Sequence, residues 1–430
     1  MRRFTPFAPQ QCMLAGIAAR HTAGLLPYLA ANMNPRLSAL HPYPFEKLRQ
    51  LLAQAGSPPA GLAPISLSIG EPKHATPALI TQAMQDAMAG LSVYPPTKGD
   101  AQLRAVISSW IARRYGIAPP NPETQVLPAL GSREALFSFA QTIIDPTAGA
   151  LTVCPNPFYQ IYEGASLLAG AQPYYINAQA ELNFGYDWAA VPAEVWHKTQ
   201  LLFVCSPGNP AGNVMGLQEW QTLFELSDEH GFVIASDECY SEIYFDEANK
   251  PLGGLQAASL LGRTDYRRLV CFSSLSKRSN VPGLRSGFIA GDAELIAQFL
   301  LYRTYHGSAM SPVVSQASIA AWNDESHVLE NRQLYCEKFD AVLPILEPVL
   351  GVGRPDASFY LWAQTPCPDT DFVRDLYGAT AVTALPGSFL AREAHGVNPG
   401  ANRIRLALVA PKQQCVEAAL RIADFVNTTY

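Results

Sequence analysis

Lys277 lies after an apolar run, Leu269-Val-Cys-Phe272, at the end of the stretch Ser274-Leu-Ser-Lys277, and Arg285 follows eight residues later within Gly283-Leu-Arg-Ser-Gly287. A lysine amine held at the end of a buried strand has a use that a surface lysine lacks: it can form a Schiff base with a carbonyl compound. Ser274 and Arg285 bring a hydroxyl and a guanidinium, groups that hold a phosphate. A lone lysine is ordinarily a solvated charge, but the apolar strand before this one and the small, glycine-bearing loop after it argue against that reading.

Other clusters stand at the ends of similar apolar runs. Phe232-Val-Ile-Ala-Ser-Asp237-Glu-Cys-Tyr240 sets a carboxylate and a phenol three residues apart; taken alone, Asp237 reads as an ordinary helix N-cap. Ser206-Pro-Gly-Asn209-Pro-Ala-Gly212 is first of all a turn. Leu130-Gly131-Ser132-Arg133-Glu134-Ala135 reads as a glycine turn opening a helix, and the N–H groups at a helix N-terminus are a ready anion site. Tyr159 in Pro157-Phe-Tyr-Gln-Ile-Tyr162 would, in isolation, be plain core. Arg403 and Arg405 both lie on a strand-like run, and Arg403 is the near competitor of Arg405.

The elements that must carry these groups are legible as an alternation. From residue 77 to 291, helix-period segments alternate with short apolar runs at 151–154, 201–205, 232–235 and 269–272, the pattern of an α/β unit with a mostly parallel sheet. Residues 99–115 have helical spacing, and an amphipathic helix is predicted over 217–230, closed by Gly231. In such sheets ligand groups collect at the carboxyl ends of the strands. A second, smaller α+β unit is expected from residue 312 onward. It has a helical pattern over 342–349, strands at 359–363, 381–385 and 404–409, and a closing helix at 413–427. The expected division is 33–74 with 312–430 as the small domain and 75–311 as the large one.

Bulk properties narrow the function classes. The chain has 430 residues, enough for two domains, with a formal net charge of −6 and no long basic run, which argues against a nucleic-acid partner. Charged residues make up only 15%, so surface hidden in an oligomer is expected. The cysteines are scattered without a CxxC pair and read as reduced core residues of a cytoplasmic protein, with no metal site. Residues 1–32 carry three arginines and no acid. They read either as a targeting peptide or, preferably, as an extended start or disordered tail ahead of Met33, and their apolar patches are too short to span a membrane.

With these residues in view, the chain from Met33 to its C-terminus resembles the class I aminotransferases of fold type I, which use pyridoxal 5′-phosphate. The resemblance implies a seven-stranded-type, mostly parallel sheet in a large domain, a smaller α+β domain, and a homodimer with shared active sites. It makes Lys277 the catalytic, cofactor-bearing lysine and Asp237 the partner of the pyridine nitrogen. Tyr240 and Asn209 become donors to the cofactor's phenolic oxygen. Ser132, Arg133, Ser274 and Arg285 surround the phosphate, Tyr159 stacks on the ring, and Tyr94 reaches the phosphate of the neighbouring subunit. Arg405 grips the substrate α-carboxylate, with Gly70 completing that site. Two positions depart from the common pattern: Ser286 stands where many relatives carry an aliphatic residue, and Ala211 where threonine is common.

Within the family, Ser-Lys-Arg-Ser-Asn-Val-Pro-Gly-Leu-Arg-Ser-Gly-Phe and Ile-Gly-Glu-Pro-Lys-His are most similar to succinyldiaminopimelate aminotransferases of lysine biosynthesis. That implies glutamate as donor, N-succinyl-2-amino-6-ketopimelate as acceptor, and a cation for the distal carboxylate, either Arg133 or Lys73. The rivals are another aminotransferase (aspartate, alanine or aromatic), a C–S β-lyase, or a ligand-sensing regulator on the same fold. The regulator is disfavoured because Lys277, Asp237, Tyr240 and Arg405 are all present and no helix-turn-helix precedes them.

Overall fold

Residues 33–430 are described in the computed structural model, so the expectation for residues 1–32 lies outside the described residues. Pro42–Tyr430 form one compact unit; ahead of it, Pro35–Ala39 make a single 3-10 turn. The strands are, in chain order, β1 (Ile65–Ser66), β2 (Val126–Ala129), β3 (Leu151–Asn156), β4 (Gln172–Asn177), β5 (Thr199–Cys205), β6 (Val233–Asp237), β7 (Leu269–Ser274), β8 (Gly287–Gly291), β9 (Tyr360–Gln364), β10 (Val382–Thr383), β11 (Leu385–Pro386) and β12 (Arg403–Ala407).

Seven of them form one sheet in the order β2-β8-β7-β6-β5-β3-β4. The pairs β3–β4, β3–β5, β5–β6 and β6–β7 are parallel, and β8 runs antiparallel to both β7 and β2. Every residue of β6 and β7 is buried, which is why these segments read as unbroken apolar runs rather than alternating ones. Helices cover both faces. Ala101–Tyr115 starts where the Asp100 carboxylate accepts from Gln102 and Leu103 N–H, and Leu217–His230 ends at Gly231 with φ +84°. One apolar layer gathers Trp110, Trp220 and Trp322; the other gathers Phe139, Phe272 and Phe299. The helix Pro312–Asn323, expected in the second unit, packs into the first of these layers, with Trp322 4.6 Å from Trp110 between ring centroids.

A smaller antiparallel sheet, β11-β12-β9, has its own core of Phe339, Leu361, Phe372 and Ile422. The helices Ser326–Leu346, Asp369–Thr380 and Lys412–Thr429 pack around it. The strand expected over 381–385 is two short ones. Val382 pairs in parallel with Ile65 of β1, whereas Leu385 pairs antiparallel with Arg405 of β12, so the chain changes partners at Ala384. What positions the site is the alignment of strand ends: Cys205 pairs with Asp237, and Asp237 with Phe272, so the segments following β5, β6 and β7 emerge side by side.

Candidate active site

These strand ends open into a cavity of about 600 Å³. On its floor Lys277 projects from a one-turn helix, Leu275–Arg278, begun by the Ser274 hydroxyl, which accepts from Ser276 N–H at 3.1 Å. The ammonium donates to the Gly70 carbonyl at 2.7 Å. Burial, reinforced by the positive charge of Arg405 and opposed by Glu71, brings its pKa down from 10.5 to about 8. A substantial neutral fraction is therefore present near pH 8, which a nucleophilic amine requires.

Asp237 ends β6 with both oxygens occupied: Oδ2 accepts from the Tyr162 hydroxyl at 2.8 Å and Oδ1 from Cys239 N–H at 3.3 Å. Turns, not a helix, follow it, so it does not cap one. Burial raises its pKa. A buried carboxylate whose protein partners are neutral donors gains from a cationic ligand. Tyr162 is itself clamped by stacking on Phe203, 4.8 Å between centroids.

Opposite the lysine, Arg405 reaches in from β12; Arg403, two residues earlier on the same face of the strand, lies over the Phe184 ring instead of lining the cavity. The Arg405 guanidinium donates to Asn209 Oδ1 at 2.9 Å and to the Ser68 carbonyl at 2.7 Å, and its Nε is buried without a partner. It lies 4.4 Å from the Tyr360 ring centroid, and the Tyr360 hydroxyl is 2.9 Å from that of Tyr240.

The anion-binding end is built from the start of the helix Ser132–Ile143. Gly131 precedes it at φ +86°, and a Cβ there would lie 2.4 Å from Arg285 Nη2, so glycine permits the arginine's close approach. Arg285, itself at φ +53°, donates to the Pro282 carbonyl at 2.7 Å, and the Cys239 thiol donates to Ser132 Oγ at 2.9 Å. Tyr159 lines the wall and accepts from Arg133 Nε at 2.5 Å.

The cavity thus brings together Lys277, Asp237, Tyr240, Asn209, Ser274, Arg285, Ser132, Arg133, Tyr159, Arg405 and Gly70. Two sequence candidates stand outside it. Lys73 pairs with Glu71 at 2.6 Å, and of the two only Glu71 lines the cavity. Tyr94 is 99% exposed, away from its own chain's site. Near Arg133 in the fold, Glu134 pairs with Arg303, and Glu163 pairs with Arg392. Sequence reasoning missed Tyr162, Cys239 and Tyr360. Tyr162 had a signal, since it follows Tyr159 at helical spacing within the same motif; Tyr360 had none, because its partners lie on other elements.

Lining the cavity, Arg133, Lys277, Arg285 and Arg405 outweigh Glu71 and Asp237, which suits a ligand bearing both a phosphate and a carboxylate. Pyridoxal phosphate fits this donor set. It asks for a buried amine, a carboxylate for its ring nitrogen and an anion cradle, and the unpartnered Arg405 Nε adds a donor on the carboxylate side. Among the described residues no group of His, Cys, Asp or Glu could hold a metal ion, and no helix is long and apolar enough to cross a membrane.

Comparison with known proteins agrees with this geometry. The profile of the family described as aminotransferase class I and II matches residues 63–422. An LL-diaminopimelate aminotransferase of Dehalococcoides mccartyi is 31% identical over 404 residues, covering 92% of this chain and 99% of the relative. The crystal structure of an aminotransferase from Neisseria meningitidis Z2491 superposes with a TM-score of 0.89 at 52% identity, covering 92% of this chain and 100% of that one. Aminotransferase AspB from Helicobacter pylori 26695 follows at a TM-score of 0.83 and 32% identity, covering 90% and 99%.

Proposed function

The chain belongs to the class I and II aminotransferases, a family that uses pyridoxal 5′-phosphate, and we propose that it transaminates an acidic, diaminopimelate-type substrate, with N-succinyl-2-amino-6-ketopimelate as acceptor and glutamate as donor. The observation that carries this reading is the presence within one cavity of the Lys277 amine and two guanidiniums from separate elements, Arg405 of β12 and Arg133 of the helix Ser132–Ile143. Arg405 takes the α-carboxylate bidentately and orients Cα–H toward Lys277. Arg133 is left to meet the distal carboxylate.

The cofactor, when bound, supplies a ring that withdraws electrons from the substrate Cα. Asp237 would hold the proton on the ring nitrogen, Tyr240 and Asn209 would donate to the phenolic oxygen, and Ser132, Ser274 and Arg285 would hold the phosphate, with Tyr159 against the ring. Lys277 Nζ takes the proton from Cα as general base and, as general acid, would deliver it to C4′ of the bound cofactor. The donor's keto acid leaves before the acceptor enters, a ping-pong order.

A second reading, transfer to the unacylated diaminopimelate precursor, is favoured by the names of curated relatives such as that of Dehalococcoides mccartyi. A half-reaction panel separates the two. Mixed with the holoenzyme, glutamate and N-succinyl-LL-diaminopimelate should each discharge the cofactor absorbance, and Arg133→Ala should raise KM for the succinylated substrate by roughly ten- to a hundredfold while short neutral amino acids change little. Faster reaction of free LL-diaminopimelate than of the succinylated form would select the second reading.

We further infer a homodimer in which Tyr94 completes the partner's site, and a division of the chain into two domains along the two cores. Location in the cytoplasm is supported by the free thiols of Cys154, Cys205, Cys271 and Cys415, all buried and unpaired.

A further inference from the structure

Three groups assigned above to different tasks meet around one phenol that none of those assignments uses. Tyr360 opens β9, and its buried hydroxyl lies 2.9 Å from the Tyr240 hydroxyl. Its ring stands 4.4 Å from the guanidinium carbon of Arg405. The backbone of Gly70, whose carbonyl accepts from Lys277, passes so close that a Cβ there would fall 2.0 Å from Tyr360 Oη. The α-carboxylate grip, the lysine's acceptor and the donor to the phenolic oxygen therefore share one side chain.

Each hydroxyl of the tyrosine pair has one proton, and one proton lies between them. If Tyr240 gave its proton to Tyr360, it would have none left for the cofactor. If Tyr360 gives its own, Tyr240 is free to donate onward, and a donor that itself accepts a hydrogen bond donates more strongly. The Tyr360 ring acts separately on Arg405. Two guanidinium nitrogens are fixed by Asn209 and Ser68, Nε is unpartnered, and the negative face of the ring holds the plane of the fork.

We propose that Tyr360 is a positioning residue with two separable parts: a hydroxyl that donates to Tyr240, directing the Tyr240 proton at the cofactor's phenolic oxygen, and a ring that holds Arg405 at the angle the α-carboxylate needs. This rests on the reading of Tyr240 given above. A hydrogen bond to the phenolic oxygen weakens that oxygen's hold on the proton of the neighbouring nitrogen, the one joining cofactor to Lys277. Loss of donor strength therefore raises that nitrogen's pKa, which is readable from absorbance against pH without turnover.

The experiment titrates the resting holoenzyme of wild type, Tyr360→Phe, Tyr240→Phe and the double variant, checking cofactor content in each. Tyr240→Phe should raise the spectral midpoint, Tyr360→Phe should raise it less, by about 0.3 to 1 unit, and the double variant should match Tyr240→Phe. KM for the amino donor should stay within about twofold in Tyr360→Phe, which keeps the ring, and rise about three- to thirtyfold in Tyr360→Leu, which loses it. An unmoved midpoint in Tyr360→Phe beside a moved one in Tyr240→Phe overturns the hydroxyl's role and leaves the reading of Tyr240 standing. An unmoved midpoint in both removes that reading and the inference with it. Equal KM changes in Tyr360→Phe and Tyr360→Leu overturn the ring's role.

Discussion

An ammonium at Lys277 must sit inside the cavity near Arg405 and Arg133, and desolvation there makes that form costly, so the pKa falls to about 8. The direction has two consequences. In the cofactor-free protein the unfolded chain binds the proton more tightly than the folded one between pH 8 and 10.5, so Lys277 adds stability as pH rises through that window and subtracts it below. The attack of Lys277 on the cofactor aldehyde needs the neutral amine, so the capture rate, followed by stopped-flow absorbance on the apoprotein, should rise with pH to a midpoint near 8 and then level off. Lys277→Ala should leave no borohydride-reducible attachment at any pH. A capture rate still climbing at pH 10 would mean that the amine is solvated rather than buried. Lys277 and Asp237 were legible because each follows an apolar run within a few residues, a signal that is local in sequence. Tyr162 meets Asp237 across 75 positions and Tyr360 meets Tyr240 across 120, and no spacing rule relates residues so far apart.

Among the elements, the helix Ser132–Ile143 matters through its first turn, where free N–H groups face the cavity. Gly131 stands before it at φ +86° and ψ 158°, a region that essentially only glycine occupies. Gly131→Ala therefore combines backbone strain with displacement of Arg285, and the cofactor's dissociation constant, measured by equilibrium dialysis, should rise roughly tenfold or more. Wild-type affinity in that variant would put the anion cradle elsewhere. The helix Leu217–His230 matched its expected ends because apolar period and a left-handed glycine cap are both written locally. The segment 381–385 did not, because β10 and β11 are defined by partners, β1 and β12, that lie far away in the chain. For the same reason β8, antiparallel within a mostly parallel sheet, is not among the strands the sequence predicts.

For the whole molecule, the unexplained surface is the stretch around Tyr94. Met88, Leu91 and Val93 are exposed beside it, and Tyr94 itself is 99% exposed. Single exposed apolar side chains are ordinary, but a run of them on a chain with only 15% charged residues supports the proposed dimer contact. If Tyr94 completes the partner's site, a chain lacking Tyr94 still offers an intact Lys277, and a chain lacking Lys277 still offers an intact Tyr94. A hybrid of the two then contains one whole site and one empty of function. Random exchange makes half of the dimers hybrids, so mixing Tyr94→Ala with Lys277→Ala should restore about a quarter of the wild-type rate per chain, far above either parent. Differently tagged chains that co-purify would prove the exchange, and the recovered rate should scale with the co-purified fraction. Proven exchange without recovery would mean that each chain builds its own site, and full activity in Tyr94→Ala alone would remove Tyr94 from the site altogether.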